Sequence, residues 1–139
     1  MPNDELFELS EVVRRLLVHL RRNLQIAIDT NQLSLSVQEA HILILLNRSD
    51  LNTPMQLACH SGYDKSVITR IVKQLLENDY LEKKTVETDR RSVNLSLTML
   101  GKELQNRLQR ALLEAHQKVF GDLNKTELKQ VTELLQKCI

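Results

Sequence analysis

The chain has 139 residues, 42% of them hydrophobic and 27% charged. That balance is globular and excludes a wholly disordered chain. Nineteen Lys and Arg against eighteen Asp and Glu leave a net charge of +1. Bulk charge therefore names no polyanionic partner, and a nucleic-acid binder would have to gather its cations on one surface.

Aromatic residues are only 3% and Trp is absent, so the core must be aliphatic. Three Gly and two Pro leave too little turn material for an all-β sandwich or barrel. No apolar run approaches the ~18 residues of a membrane span, so no membrane partner is expected. The start, MPNDELFELS, is acidic and lacks the basic-then-apolar order of a signal peptide. The expected compartment is the cytoplasm. There Cys59 and Cys138, far apart and in no CxxC, read as free thiols.

The first predicted helix runs from about Asp4 to Asn31. Leu6, Leu9, Val13, Leu16, Leu17, Leu20, Leu24 and Ala27 recur at spacings of three and four, one apolar stripe. At ~1.5 Å per residue it extends about 40 Å, more than so small a chain buries by itself. Val12, Val18, Ile26 and Ile28 continue onto its flanks. A second helix starts at Ser36, where Ser36-Val-Gln-Glu39 reads as a capping box. Ala40, Ile42, Leu43, Leu45 and Leu46 make it mostly buried, and the run Asn47 to Asn52 ends it. A third, short helix opens at Thr53, with Pro54 at N1 and Gln56 completing another box. Met55, Leu57 and Ala58 are expected to face inward before the Ser61-Gly62 turn.

The fourth helix, residues 64–78, divides cleanly. At 100° per residue, Lys65, Ser66, Thr69, Arg70, Lys73, Gln74 and Glu77 fall on one half, and Val67, Ile68, Ile71, Val72, Leu75 and Leu76 on the other. The polar half carries three cations, two hydroxyls and one acid near its end. Leu81–Thr85 and Val93–Leu97 alternate as half-buried strands do, with a polar tip at 86–92. Thr98 caps a long helix reaching Phe120, ended by Gly121. Asn124-Lys-Thr-Glu127 opens a last helix with Leu128, Val131, Leu134 and Leu135 on one face.

Helix, short helix, Gly turn, helix and hairpin is the order of a winged helix-turn-helix. The expected fold is therefore mainly α, a winged helix-turn-helix flanked by long N- and C-terminal dimerisation helices. The expected division is 1–32 for the N-terminal dimerisation helix, 33–100 for the DNA-binding domain and 101–139 for the C-terminal dimerisation helices. Lys65, Ser66, Thr69, Arg70 and Lys73 would meet phosphates and base edges in the major groove. Asp89, Arg90 and Arg91 sit at the hairpin tip. A tip arginine can enter the narrow minor groove, and Asp89 could aim the Arg91 guanidinium.

These residues resemble the MarR family of regulators. The likeness rests on Tyr63 to Leu75 and on Glu87 to Gly101, where Asp89, Arg91, Leu97, Thr98 and Gly101 match the wing signature D-x-R followed by L-T-x-x-G. The resemblance implies a homodimeric DNA-binding transcriptional regulator, by family default a repressor. It also implies an effector between the dimer interface and the DNA-binding lobe. Asn78-Asp79 stands where the family usually has a glycine, and Asn can adopt the left-handed cap conformation. Dimerisation also follows from the excess of apolar helix surface. A two-fold pair of recognition helices roughly 34–36 Å apart would read a near-palindrome. The rival reading is a winged-helix protein-interaction module that does not bind DNA.

No metal or other cofactor is expected. His19, His41, His60 and His116 form no H-x-x-x-H or H-E-x-x-H, although Glu39, His41 and His116 could converge in a fold of this kind. Cys59-His60 is a weak redox pair, because helical neighbours point ~100° apart. Arg14, Arg15, Arg21 and Arg22 read as solvated or interface charge, or as walls of an anionic-effector pocket. No P-loop, G-x-G-x-x-G or nucleophile elbow is present, so no enzyme is expected. Effector-binding residues are not assigned.

Overall fold

The computed structural model describes residues 3–46, 50–86 and 89–139, with 85, 86 and 89–92 described by backbone alone. The order is α1 (Asp4–Thr30), α2 (Val37–Leu45), α3 (Pro54–Ser61), α4 (Lys65–Glu77), β1 (Leu81–Val86), β2 (Asp89–Leu97), α5 (Met99–Phe120) and α6 (Lys125–Gln136). The fold is mainly helical with one antiparallel pair of strands, as the two periodicities predict. The chain divides into two compact units, Leu33–Arg110 and Met1–Gln32 with Ala111–Ile139.

In the unit Leu33–Arg110, an aliphatic core joins Ile42 and Leu45 of α2 and Leu57 of α3 to Ile68, Ile71, Val72 and Leu75 of α4. Leu51, Leu81 and Leu95 complete it. Each such side chain contributes about 1.5–3 kcal/mol on leaving water. Thr53 caps α3 with both halves of the expected box. Its hydroxyl accepts the Gln56 N–H at 3.2 Å, and its own N–H donates to Gln56 Oε1 at 3.1 Å. Gly62 ends α3 in the left-handed region at φ +76°, where a side chain is strained. Its N–H returns to the Ala58 carbonyl.

Four local expectations are corrected. Ser36 accepts the Glu39 N–H at 3.1 Å, but the reciprocal bond from the Glu39 side chain is not made. Met55 is 74% exposed while Leu57 is fully buried. Two helical neighbours separated by ~200° cannot both face one core, and Leu57 takes the place. At the end of α4, Asn78 stays at φ −89°, and Asp79 adopts the left-handed conformation at φ +62°. The Tyr80 N–H then reaches the Leu75 carbonyl and the Asp79 N–H the Leu76 carbonyl, which is a Schellman closure with Asp in the usual glycine place. The polar tip expected at 86–92 is shorter, because Val86 belongs to β1 and 89–92 to β2. Backbone pairing there does not depend on apolar side chains. The helix-ending run from Asn47 falls partly, at 47–49, outside the described residues.

The strands pair Leu81 with Leu97 and Lys83 with Leu95, with a register shift at Thr85/Val86. The Leu95 N–H also donates to the Asn52 carbonyl at 2.7 Å, so the loop before α3 joins the sheet as a third backbone line. The sheet and α4 are tied to α5 through Thr98. Its N–H donates to the Tyr80 carbonyl at 3.1 Å, its hydroxyl donates to the Asp79 carbonyl at 2.6 Å, and the hydroxyl oxygen accepts the Gly101 N–H at 3.0 Å. Buried Gln105 donates from Nε2 to the Leu43 carbonyl at 2.8 Å. It satisfies a carbonyl in the last turn of α2, where helix bonding runs out.

In the other unit, Ala27 and Ile28 are buried on α1, and Ala111, Leu112 and Ala115 on α5. Much of the apolar stripe of α1 lies open, with Leu6 68% and Leu17 59% exposed. A capping box between Asn124 and Glu127 opens α6, yet α6 buries none of its residues. No described helix is long and apolar enough to cross a membrane.

Candidate nucleic-acid interface

The candidate interface is built on α4, because its sequence separates two chemistries on one rod. Ile68, Ile71, Val72 and Leu75 are buried, and Val67 and Leu76 half-buried. Lys65, Ser66, Thr69, Arg70 and Lys73 are all exposed on the other side, with Gln74 and Glu77 beyond them. Among the described residues, none of Lys65, Arg70 and Lys73 forms an ion pair. Three unpaired cations therefore share one helical face.

Thr69 is more constrained than its spacing implies. Its hydroxyl donates to the Lys65 carbonyl at 2.9 Å, a back-bond that commits the proton to the helix. What Thr69 offers outward is an oxygen acceptor and a methyl group. Asp64 stands at the N-cap of α4 without a side-chain capping bond. Preceding it, Tyr63 is fixed by its N–H to Ser61 Oγ at 3.1 Å and by its hydroxyl 3.0 Å from His41 Nδ1. Those two rings meet edge to face at 5.5 Å and 87°. The His41 pKa is held below the ordinary histidine value, first by desolvation and then by the charge of His60.

Asp89, Arg90 and Arg91 open β2, so the backbone carries them on the far part of the hairpin from α5. The expected aiming of Arg91 by Asp89 concerns side chains outside the description, and Glu87 and Thr88 lie outside the described residues. Lys83 and Lys84 of β1 are exposed, two wing cations that the sequence reading did not single out. Two adjacent lysines in a half-polar strand were the available signal. The His41–Tyr63 pair was also missed, and no spacing rule links positions 22 apart.

Among the described residues, no three of His, Cys, Asp and Glu gather as metal ligands would. Cys59 and Cys138 are both exposed. Arg14, Arg15 and Arg22, with Glu11, Val18 and His19, line a shallow trough of ≈ 280 Å³ on α1. Arg21 is not part of it.

The sequence model of the MarR family matches residues 35–93, from the start of α2 into β2. The HTH-type transcriptional regulator BilQ of Clostridium symbiosum (strain WAL-14163) is 29% identical over 97 residues, covering 70% of this chain and 67% of BilQ. The segment from α2 into β2 is thus similar to the MarR family. MarR-family proteins are DNA-binding transcriptional regulators, not enzymes. Solved structures share the fold along nearly the whole chain. A mutant MarR from E. coli, complexed with operator DNA, superposes with a TM-score of 0.81 at 20% identity, covering 99% of this chain and 97% of that one. CouR from Rhodococcus jostii RHA1, bound to p-coumaroyl-CoA, gives 0.75 at 23% identity, over 99% and 92%. BpsR of Bordetella bronchiseptica, whose DNA binding is regulated by 6-hydroxynicotinic acid, gives 0.79 at 21% identity, over 93% and 91%. In this chain, the L-T-x-x-G motif has a local physical role. Thr98 and Gly101 fasten the turn after α4 to the first turn of α5.

Proposed function

We propose that this protein is a homodimeric transcriptional repressor that binds a palindromic operator and is released or retained by a small-molecule effector. Helix α4 enters the major groove, where Lys65, Ser66, Thr69, Arg70 and Lys73 meet phosphates and base edges. The hairpin carries Asp89, Arg90 and Arg91 to the adjacent minor groove. The observation that carries this reading is the exposed, unpaired cationic face of α4 within a matched family segment. Homodimerisation is supported by the open apolar faces of α1 and α6, including Leu6, Leu9, Leu17, Leu134 and Leu135. Effector control is supported by the ligands named for CouR and BpsR. An effector shifts DNA affinity only as far as it prefers one conformation.

The test is a footprint on the intergenic DNA upstream of the protein's own reading frame. Two protected half-sites, about one helical turn apart and related by a two-fold axis, are expected. Arg70→Ala should weaken occupancy by about 1–3 kcal/mol and relax base preference at one position of each half-site. Absence of protection anywhere, with the Arg70→Ala variant indistinguishable on a random duplex, would leave the protein-interaction reading in its place.

A further inference from the structure

A second cluster lies beside the start of α4, off its cationic face. His41 stands exposed on α2, and His60 stands exposed in the last turn of α3. Tyr63 joins the two helices to the α4 N-cap and holds His41 by its Nδ1 at 3.0 Å. With Nδ1 engaged, Nε2 is the nitrogen that has no partner among the described residues. A neutral ring of this kind already offers an Nε2–H donor. Protonation turns it into a charged donor while Nδ1 keeps its bond to Tyr63 with the polarity reversed.

We propose that His41 and His60, steadied by Tyr63, form a proton-dependent contact for a backbone phosphate of DNA, so that the protein grips duplex DNA more tightly as pH falls through the histidine range. This rests on the DNA-binding reading above. In a helix-turn-helix the first helix crosses the phosphate backbone while the second enters the groove. Here α3 is that first helix, and His60 and Tyr63 flank its end. The groups facing His41 are Tyr63 from the turn and His60 from α3. On α2 itself, Glu39 lies two residues away and ~200° around the helix. Asp64, next to Tyr63, is the nearest acid in sequence on α4. Among the described residues, His60 is the charge that acts on His41, and it repels a proton there. A phosphate between the two rings reverses that penalty, so binding takes up protons. The gain is absent well above pH ~6.5, the ordinary histidine value. It is complete below the lowered value of the free protein.

The experiment measures the Kd of the full-length protein for a fluorescent random-sequence duplex of about three turns, at constant ionic strength, from about pH 8 to about pH 5.5. The parent should tighten by about tenfold for each histidine whose pKa rises by one unit. His41→Gln with His60→Gln should bind like the parent at the alkaline end and lose the acid gain. Tyr63→Phe should lose part of it, whereas His19→Gln with His116→Gln should keep it. All substituted histidines are exposed, so the core is untouched. A double variant that retains the parent's pH profile overturns the proposal, as does salt-dependent parental binding that is flat with pH. No binding to any duplex at low salt overturns the DNA-binding reading and this inference together.

Discussion

Gly101→Ala is a sharp test of how α4 is held, because helix propensity and local packing give opposite answers. Gly101 occupies the first turn of α5, where alanine should gain about 0.5–1 kcal/mol over glycine. A Cβ built there overlaps the Tyr80 carbonyl oxygen and lies 3.0 Å from the Tyr80 carbonyl carbon and 3.3 Å from Leu97 Cδ2. The carbonyl cannot simply withdraw, since it accepts the Thr98 N–H, and the Thr98 hydroxyl holds the preceding Asp79 carbonyl. Overpacking costs about 1–3 kcal/mol, and each strained hydrogen bond forfeits about 1 kcal/mol. The net is a loss of about 2 kcal/mol, or about 7 °C in Tm for a chain of this length. Urea unfolding followed by circular dichroism measures it. Thr98→Ala should cost about 1–2 kcal/mol, and the double variant should fall short of the sum by about 1 kcal/mol, because the two changes break one lock. A Gly101→Ala protein as stable as the parent, or more stable, would refute the close approach and leave propensity in charge.

Other expectations concern assembly and pH. Val131→Asp with Leu135→Asp places charge on the open face of α6, where both residues are under 40% exposed in a single chain. Sedimentation equilibrium should show the dimer weakened by about 3 kcal/mol or more, a hundredfold or more in Kd, and an unchanged dimer would exclude α6 from the interface. For His41 the folded-state pKa is depressed. Its contribution to stability is therefore present above the ordinary histidine value and is lost as pH falls through that value toward the lowered one. Without DNA, the urea midpoint of the parent should drop more between about pH 8 and about pH 5.5 than that of His41→Gln; parallel curves would contradict the shift.

Much of this architecture was legible because helices advertise their faces. The division of α4 into six apolar and seven polar positions maps onto buried or half-buried and exposed residues without exception. Thr53, Pro54 and Gln56 specified the start of α3 because a capping box is a contact within one turn. What was not legible depends on partners far apart in sequence. Gln105 follows Leu104 in α5 and is buried, which no local spacing foretells. Its acceptor, the Leu43 carbonyl, lies 62 positions away. Signature residue Gly101 was visible, but its reason was not, since the Tyr80 carbonyl that crowds it belongs to the previous turn of the fold. Met55 was misplaced because apolarity was weighed without the 200° that separates it from Leu57. Asp79 took the left-handed position next to the asparagine expected to hold it, so the turn's chemistry was readable to within one residue.

A net charge of +1 is a weak objection to DNA binding, and the salt dependence of affinity shows why. Charges more than about 10 Å from a phosphate are screened at 0.1 M salt, so a whole-chain sum does not describe a cation seated on the backbone. Counterion release instead counts the local contacts, with log K falling by ~0.9 per phosphate neutralised in each tenfold rise of salt. If Lys65, Lys73 and the wing cations supply three to five phosphate contacts per copy, a dimer makes roughly six to ten, and the slope should lie between about −5 and −9. Lys73→Ala removes one contact from each copy and should make the slope shallower by about two, at similar cost on every duplex. Arg70→Ala, if it reads a base, should leave the slope nearly unchanged and lower affinity for the operator alone. Equal effects of the two substitutions on slope and on specificity would mean that Arg70 also touches the backbone. A slope near zero would mean that the cations of α4 meet no phosphate at all.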